Sequence, residues 1–257
     1  MELYAIKTKK VKPGDNLVDI VLESLKKLNL QLKDNDVLAL TSKIVSYAEN
    51  RLVNLKEVKP SDKAKKLAQE FSLEPEFGEL VLREADKICG GVERAVLTLK
   101  NEMLVANAGI DSKNAPVDYV ALWPSNPSRW AKSIREEIYR RTCKRIAVLI
   151  IDSGLIPLRI GTIGLALAVA GFKPIRDHRG ESDLYGKEVI ITRHAIADDL
   201  ASAAHLLMGE SIEQTPAVLI RDAPVDFDGG AYGPETMMMP QRECIYMNNR
   251  QKFADSH

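Results

Sequence analysis

A run of six apolar residues, Ile146-Ala147-Val148-Leu149-Ile150-Ile151, ends at once in Asp152-Ser153-Gly154 and constrains the fold more than any other stretch. Four of the six are β-branched, the composition of a strand buried on both faces, so the chain must supply a covering layer on each side of a sheet. The fold class expected is α/β. The strand is expected to stop at Asp152, because an aspartate, a hydroxyl and a glycine break the apolar run. That position is where open α/β sheets build ligand sites, although aspartate also makes ordinary turns and the residue types alone leave both roles open. A small-residue run over 161–171 and a polar loop over 176–186 follow.

At 257 residues there is material for one large or two modest domains. Lys plus Arg and Asp plus Glu both number 36, so no global field favours nucleic acid or a membrane surface, and a small-molecule or protein partner is expected. Cys89, Cys143 and Cys244 are odd in number and form no CxxC pair, which argues against a disulfide framework or a thiolate zinc site and fits a cytoplasmic protein. The longest apolar segment falls short of the ~20 residues that span a bilayer.

Residues 3–8 read as a first strand, 17–28 as an amphipathic helix, and Val37-Leu38-Ala39-Leu40 as a buried strand ending in Thr41-Ser42-Lys43. Hydroxyls and a lysine at a strand end can hold a phosphate, and Thr-Ser is equally an N-cap pair. Charged helices are expected from Ser61 to Phe71 and from Glu74 to Lys87, then a hairpin over 94–106 that runs into Asn107-Ala108-Gly109-Ile110-Asp111 and Asn114. Residues 115–127 read as a loop with three prolines, 128–141 as a helix, 188–193 as a strand, 195–208 as an alanine-rich helix ended by Gly209, and 217–220 as a further strand. Asp226 and Asp228 read as turn residues in a loop-rich tail.

Asp111, Asp152 and Glu210 stand at element ends far apart in the chain. Three such carboxylates, with Ser153 as a fourth oxygen, would suit Mg²⁺ or Mn²⁺ rather than zinc if they converge. The histidines form no HxxH pair; His205 reads as a packed or surface residue, and His178, in a polar loop, as the better active-site candidate. No Walker A loop or GxSxG elbow is present.

Several segments together resemble the coenzyme F-420-0:L-glutamate ligase family. They are Thr41-Ser-Lys-Ile-Val-Ser46 with Ala48, Glu49 and Arg51; Pro60-Ser61 with Ala64; Asn107-Ala-Gly-Ile-Asp111 with Asn114; Asp152-Ser153; Arg159 and Gly161; Asp183-Leu-Tyr-Gly186; Ala197-Asp198; and Leu207-Met-Gly-Glu210. The resemblance covers residues 1–225, leaving 226–257 as a loop-rich C-terminal segment. It implies a two-lobed α/β fold, an intertwined homodimer, and GTP-dependent addition of L-glutamate to a carboxylate acceptor through an acyl phosphate. It places metal ligands on Asp111, Asp152, Ser153 and Glu210, and nucleotide contacts on Ser42, Asn114 and the segment beginning Met208-Gly209, with Thr41, Lys43 and Tyr47 beside them. Lys43 and Arg159 become candidates for phosphate or carboxylate contacts, and Asp152 for a catalytic role.

Three departures stand out. The family usually has lysine at Tyr47, glycine at Asn50, and a Gly-Arg pair at Leu155-Ile156. Isoleucine cannot replace the bidentate fork of arginine. Alternatives are therefore a ligase for another carboxylate, folate- or pterin-like, and a catalytically silent nucleotide-binding relative.

Overall fold

The computed structural model describes residues 1–248. From the N-terminus, β1 (Glu2–Ile6) leads to α1 (Leu17–Lys27), whose first turn is capped by the Asn16 side chain accepting from the Val18 and Asp19 N–H groups. Next come β2 (Val37–Thr41) and, without a loop, α2 (Ser42–Ala48). A second lobe then holds β3 (Leu52–Asn54), α3 (Asp62–Phe71), α4 (Pro75–Glu84), β4 (Lys87–Val92), β5 (Ala95–Lys100), β6 (Met103–Ala106) and β7 (Tyr119–Ala121). The chain returns through α5 (Pro127–Thr142), β8 (Ala147–Leu155), β9 (Thr162–Phe172), the short pair β10 (Arg176–Asp177) and β11 (Arg193–His194), α6 (Ile196–Met208), β12 (Ala217–Arg221) and β13 (Phe227–Tyr232).

The main sheet runs β1-β12-β2-β8-β9-β13, with β2 and β8 parallel and every other pair antiparallel. Alternation along β2 sends Leu38 and Leu40 into a core shared with α1 and α5, and Val37 and Ala39 into a core shared with α6. Both faces are covered, as the unbroken apolar run required. The second lobe has its own core around Phe71, Leu80, Val81, Val96, Ile110 and Val120. No helix among the described residues is long and apolar enough to cross a membrane.

Asp152 is not a strand end. β8 continues through Leu155, paired with β9 from Asp152↔Leu165 to Leu155↔Thr162, because Gly154 leaves room for the Leu165 side chain that a Cβ would strike at 2.2 Å. What ends there is the neighbour: β2 pairs through Thr41↔Ile151 and then turns into α2, so the two parallel strands part at Asp152 and open the sheet. The small-residue run over 161–171 is β9, and its smallness lets α6 approach. A Cβ on Gly164 would lie 2.3 Å from the Ala201 carbonyl oxygen. Gly164→Ala should cost about 1–3 kcal/mol by forcing helix and sheet apart, read as a lower urea midpoint.

Other local expectations need correction. The helix begun at Pro75 ends at Glu84, and Lys87 opens β4, a strand whose Gly90-Gly91 hid it; Gly91 has Phe71 where a Cβ would sit, 2.8 Å away. The proline-rich loop contains β7. Residues 188–193 form no regular strand but pair irregularly with the outgoing half of an exposed arm: Glu188 bridges Ser182, Val189 bonds Gly180 and Glu181 through the backbone, Thr192 accepts from the His178 N–H, and Arg193 and His194 pair with β10, while the Ile190 and Ile191 side chains stay exposed. Residues 227–232 form an edge strand on β9 rather than a loop, and the Asp228 carboxylate accepts from the Gly230 N–H and the Tyr232 hydroxyl.

Candidate functional site

Where β2 and β8 part, a cleft of about 880 Å³ opens between the lobes. Three turns converge on it: the β2–α2 junction, the segment after β6, and the segment after α6. Thr41, Lys43, Tyr47, Asp111, Asn114, Asp152, Ser153, Met208, Gly209 and Glu210 all line it. Ser42 is buried beneath, and its hydroxyl is among the groups that favour the charged form of Asp152. Arg159 does not join them; it lies on the exposed turn between β8 and β9. His178 is likewise remote, bonded to Glu181 at 2.8 Å and stacked 6.2 Å from His194 on the arm.

Each carboxylate is fixed in its own way. The Asp111 backbone exchanges two hydrogen bonds with Ala121, at 3.0 and 2.8 Å, so the second lobe holds it in place. Its Oδ2 receives the Lys43 ammonium at 2.6 Å, and Lys43 also donates to the Lys113 carbonyl at 3.0 Å. Asp152 accepts from the Ser153 N–H at 2.9 Å and from the Trp123 indole. It keeps only partial exposure on the cleft wall, and burial, with the nearby Asp111 charge adding to it, pushes its pKa up to about 6 despite those donors. Glu210 behaves oppositely. Burial would raise it, but hydrogen bonds from Thr162 (2.5 Å) and His205 (2.9 Å), with the charges of His205 and Lys113, outweigh burial and hold it below the usual carboxylate range.

The cleft also draws its turns together. Tyr47 donates its hydroxyl to the Asn114 carbonyl at 3.0 Å, and the Asn114 amide donates to the Ser211 carbonyl at 3.0 Å. Burial, then the Asp111 charge, raises the Tyr47 pKa, so the phenol is neutral at physiological pH. Asn50 adopts φ +59°, the left-handed region that glycine favours, so asparagine keeps the backbone a glycine would give. Leu155, the last residue of β8, and Ile156, on the turn after it, are both exposed and do not line the cleft.

Two contributions escaped the sequence. Lys9, Lys10 and Lys12 line one rim, a basic cluster whose signal in the sequence is the run of lysines just after β1. His205 meets Glu210 across the end of α6. The donor chemistry of Asp111, Asp152, Ser153 and Glu210, all oxygen, suits a hard divalent cation. Among the described residues no three acidic, histidine or cysteine side chains are drawn close enough to form a finished coordination shell; Lys43 instead supplies the cation at Asp111.

A profile of the F420-0:Gamma-glutamyl ligase family matches residues 5–222. A protein named Coenzyme F420:L-glutamate ligase from Methanopyrus kandleri is 37% identical over 241 residues, 92% of this chain and 94% of its own. Its namesake from Methanothermobacter thermautotrophicus is 36% identical over 221 residues, 84% of this chain and 88% of its own. A third of that name, from Methanosarcina mazei, is 33% identical over 258 residues, 97% of this chain and all of its own.

Proposed function

The chain belongs to the F420-0:gamma-glutamyl ligase family, and from that premise we propose that it joins L-glutamate to the carboxylate of an F420-type acceptor in a GTP- and divalent metal-dependent reaction. The observation that carries the reading is the convergence of Asp111, Asp152, Ser153 and Glu210, from three separate chain segments, on one cleft with Lys43 and the basic rim.

In this reading Asp111, Asp152, Ser153 and Glu210 would hold Mg²⁺ or Mn²⁺, which would supply positive charge against the transferring phosphoryl group. Lys9, Lys10 and Lys12 are placed to meet the nucleotide polyphosphate. Lys43, paired with the Asp111 carboxylate at 2.6 Å, is the side chain that would meet the incoming phosphate. Asn114, whose amide bonds the Ser211 carbonyl, and the 208–210 turn would shape the nucleotide pocket. The acceptor carboxylate takes the γ-phosphoryl group to give an acyl phosphate, and the glutamate amine displaces phosphate to form the amide.

A second copy of the chain is proposed to cover the β8–β9 turn, where Leu158 and Ile160 are exposed, and the arm, where Leu184, Tyr185, Ile190 and Ile191 are exposed. Through such a copy Arg159 would approach a cleft it does not reach within its own chain. The acceptor itself is open to one variation: Tyr47 puts an aromatic ring where the family carries lysine, which favours a ring-bearing acceptor or base over a further anion.

Mg²⁺-dependent thermal stabilisation tests the site. GTP at 100 times its dissociation constant should stabilise the protein by about 2.7 kcal/mol, ATP by less, and neither should act without metal. Stabilisation of the Asp111→Asn variant equal to that of the parent would overturn the assignment.

A further inference from the structure

We infer that Trp123 is a positioning residue for Asp152, its indole N–H fixing the carboxylate on which metal binding depends. The inference rests on the ligase reading above only for the assignment of Asp152 to the metal.

Trp123 lies just beyond β7, is 4% exposed, and donates its Nε1–H to Asp152 Oδ2. The Ser153 backbone N–H donates to Oδ1 at 2.9 Å, so each oxygen is held by one fixed donor and keeps lone-pair capacity for another ligand. A buried indole needs only some acceptor, and a backbone carbonyl would serve. Here its acceptor is instead a carboxylate facing the cleft, 29 residues away in the chain. An indole can donate but never accept or ligate, so it orients the carboxylate without competing for the cation.

The ring is itself held on both sides. Gly109, at φ +72°, lies flat against it; a Cβ there would sit 2.2 Å from the ring Cε2 and 2.4 Å from Nε1. Behind it, Arg51 Nε donates to the Trp123 carbonyl at 3.1 Å and pairs with Glu84 at 2.9 Å. Lys100 pairs with the same Glu84 at 2.6 Å, and its ammonium lies 5.6 Å from the indole centroid. Arg51, Glu84 and Lys100 do not line the cleft, and this cluster sets where the indole can point. Outer partners that orient a metal ligand in this way are typically worth about 10- to 100-fold in metal affinity.

The test is Mn²⁺ binding, by titration calorimetry or electron paramagnetic resonance, on the full-length parent, Trp123→Phe and Asp152→Asn, without nucleotide. Phenylalanine keeps a ring under Gly109 and removes the N–H. The Mn²⁺ dissociation constant should rise about 10- to 100-fold in Trp123→Phe, while kcat at saturating metal stays within a few-fold of the parent. Unchanged Mn²⁺ affinity in Trp123→Phe, with binding lost in Asp152→Asn, would overturn the role of Trp123 and leave the metal reading intact. Unchanged affinity in both variants would overturn the two together. A second measurement needs no change at the site. The chain has two tryptophans, so Trp130→Phe leaves Trp123 as the single indole emitter. Saturating Mg²⁺ should change its emission; an unresponsive spectrum would overturn the proposal even if Trp123→Phe fails to fold.

Discussion

Replacing Asp152 with asparagine is expected to abolish metal-dependent activity while making the metal-free protein more stable at neutral pH. The two effects have one cause. Burial lifts the Asp152 carboxyl to about 6, above its ordinary value of 3.8, so the folded metal-free state binds a proton that the unfolded chain releases. A raised carboxylate pKa contributes stability at low pH that is lost as pH climbs through 3.8 to about 6, and above that window the charged, desolvated group remains as a cost. Two pKa units correspond to about 2–3 kcal/mol, and the partial exposure of Asp152 reduces this toward about 2 kcal/mol. Denaturation of the metal-free parent should therefore show stability falling between pH 4 and 6, and Asp152→Asn should flatten that dependence. With Mg²⁺ the order reverses, because deprotonated Asp152 gains a cation and the amide does not. Loss of activity should exceed the ~10- to 100-fold that removal of an outer partner costs. An Asp152→Asn protein with parental activity, or with the parental pH profile of stability, would contradict the account of this residue.

Asp36→Ala should destabilise the fold by about 3–5 kcal/mol, a large share of the about 5–15 kcal/mol that holds a typical protein together. Asp36 is 1% exposed and Arg221 8%, and the guanidinium meets the carboxylate through two bonds of 2.9 Å. The same carboxylate accepts from the Lys33 N–H at 2.8 Å, and Arg221 also donates to the Gln31 carbonyl at 2.9 Å. Alanine would leave an uncompensated buried cation at the start of β2, where the Asp36 carbonyl also accepts from the Ala147 N–H at 2.8 Å. Paired replacement, Asp36→Leu with Arg221→Met, should recover most of the loss, since apolar pairs of similar volume often equal a buried ion pair. Urea denaturation of the two variants decides this; a midpoint for Asp36→Ala equal to that of the parent would show that the pair adds nothing. The effect should fall on stability, because neither residue lines the cleft.

Where the sequence was legible, local pattern and long-range environment agreed. Residues 146–151 announce a strand covered on both faces, and Leu38 and Leu40 alternating with Val37 and Ala39 make β2 its partner. Asp111, Asp152 and Glu210 stood out as carboxylates beside glycine or hydroxyl turns, and the fold brings all three to one cleft. The expected strand over 188–193 forms only as an irregular pairing with residues 178–183, because the Ile190 and Ile191 side chains have no apolar layer over them and stay exposed. β4 was hidden because its Gly90-Gly91 lacks strand propensity, the absence of a side chain at Gly91 being set by Phe71. Trp123 was invisible as a partner of Asp152 because nothing in either local sequence encodes a contact across 29 residues. The sequence carries residue types and periods; which carboxylate an indole meets is decided by the packing of two lobes.

The most direct measurement is mass spectrometry of the acceptor after incubation of the purified protein with GTP, Mg²⁺ or Mn²⁺, L-glutamate and coenzyme F-420-0, with phosphate release followed in parallel. The account predicts an acceptor heavier by one glutamyl unit, one phosphate released per amide formed, and neither product with Asp152→Asn. Metal-dependent nucleotide binding with no glutamyl product on F-420-0 or on a panel of folate- and pterin-type carboxylates would contradict it.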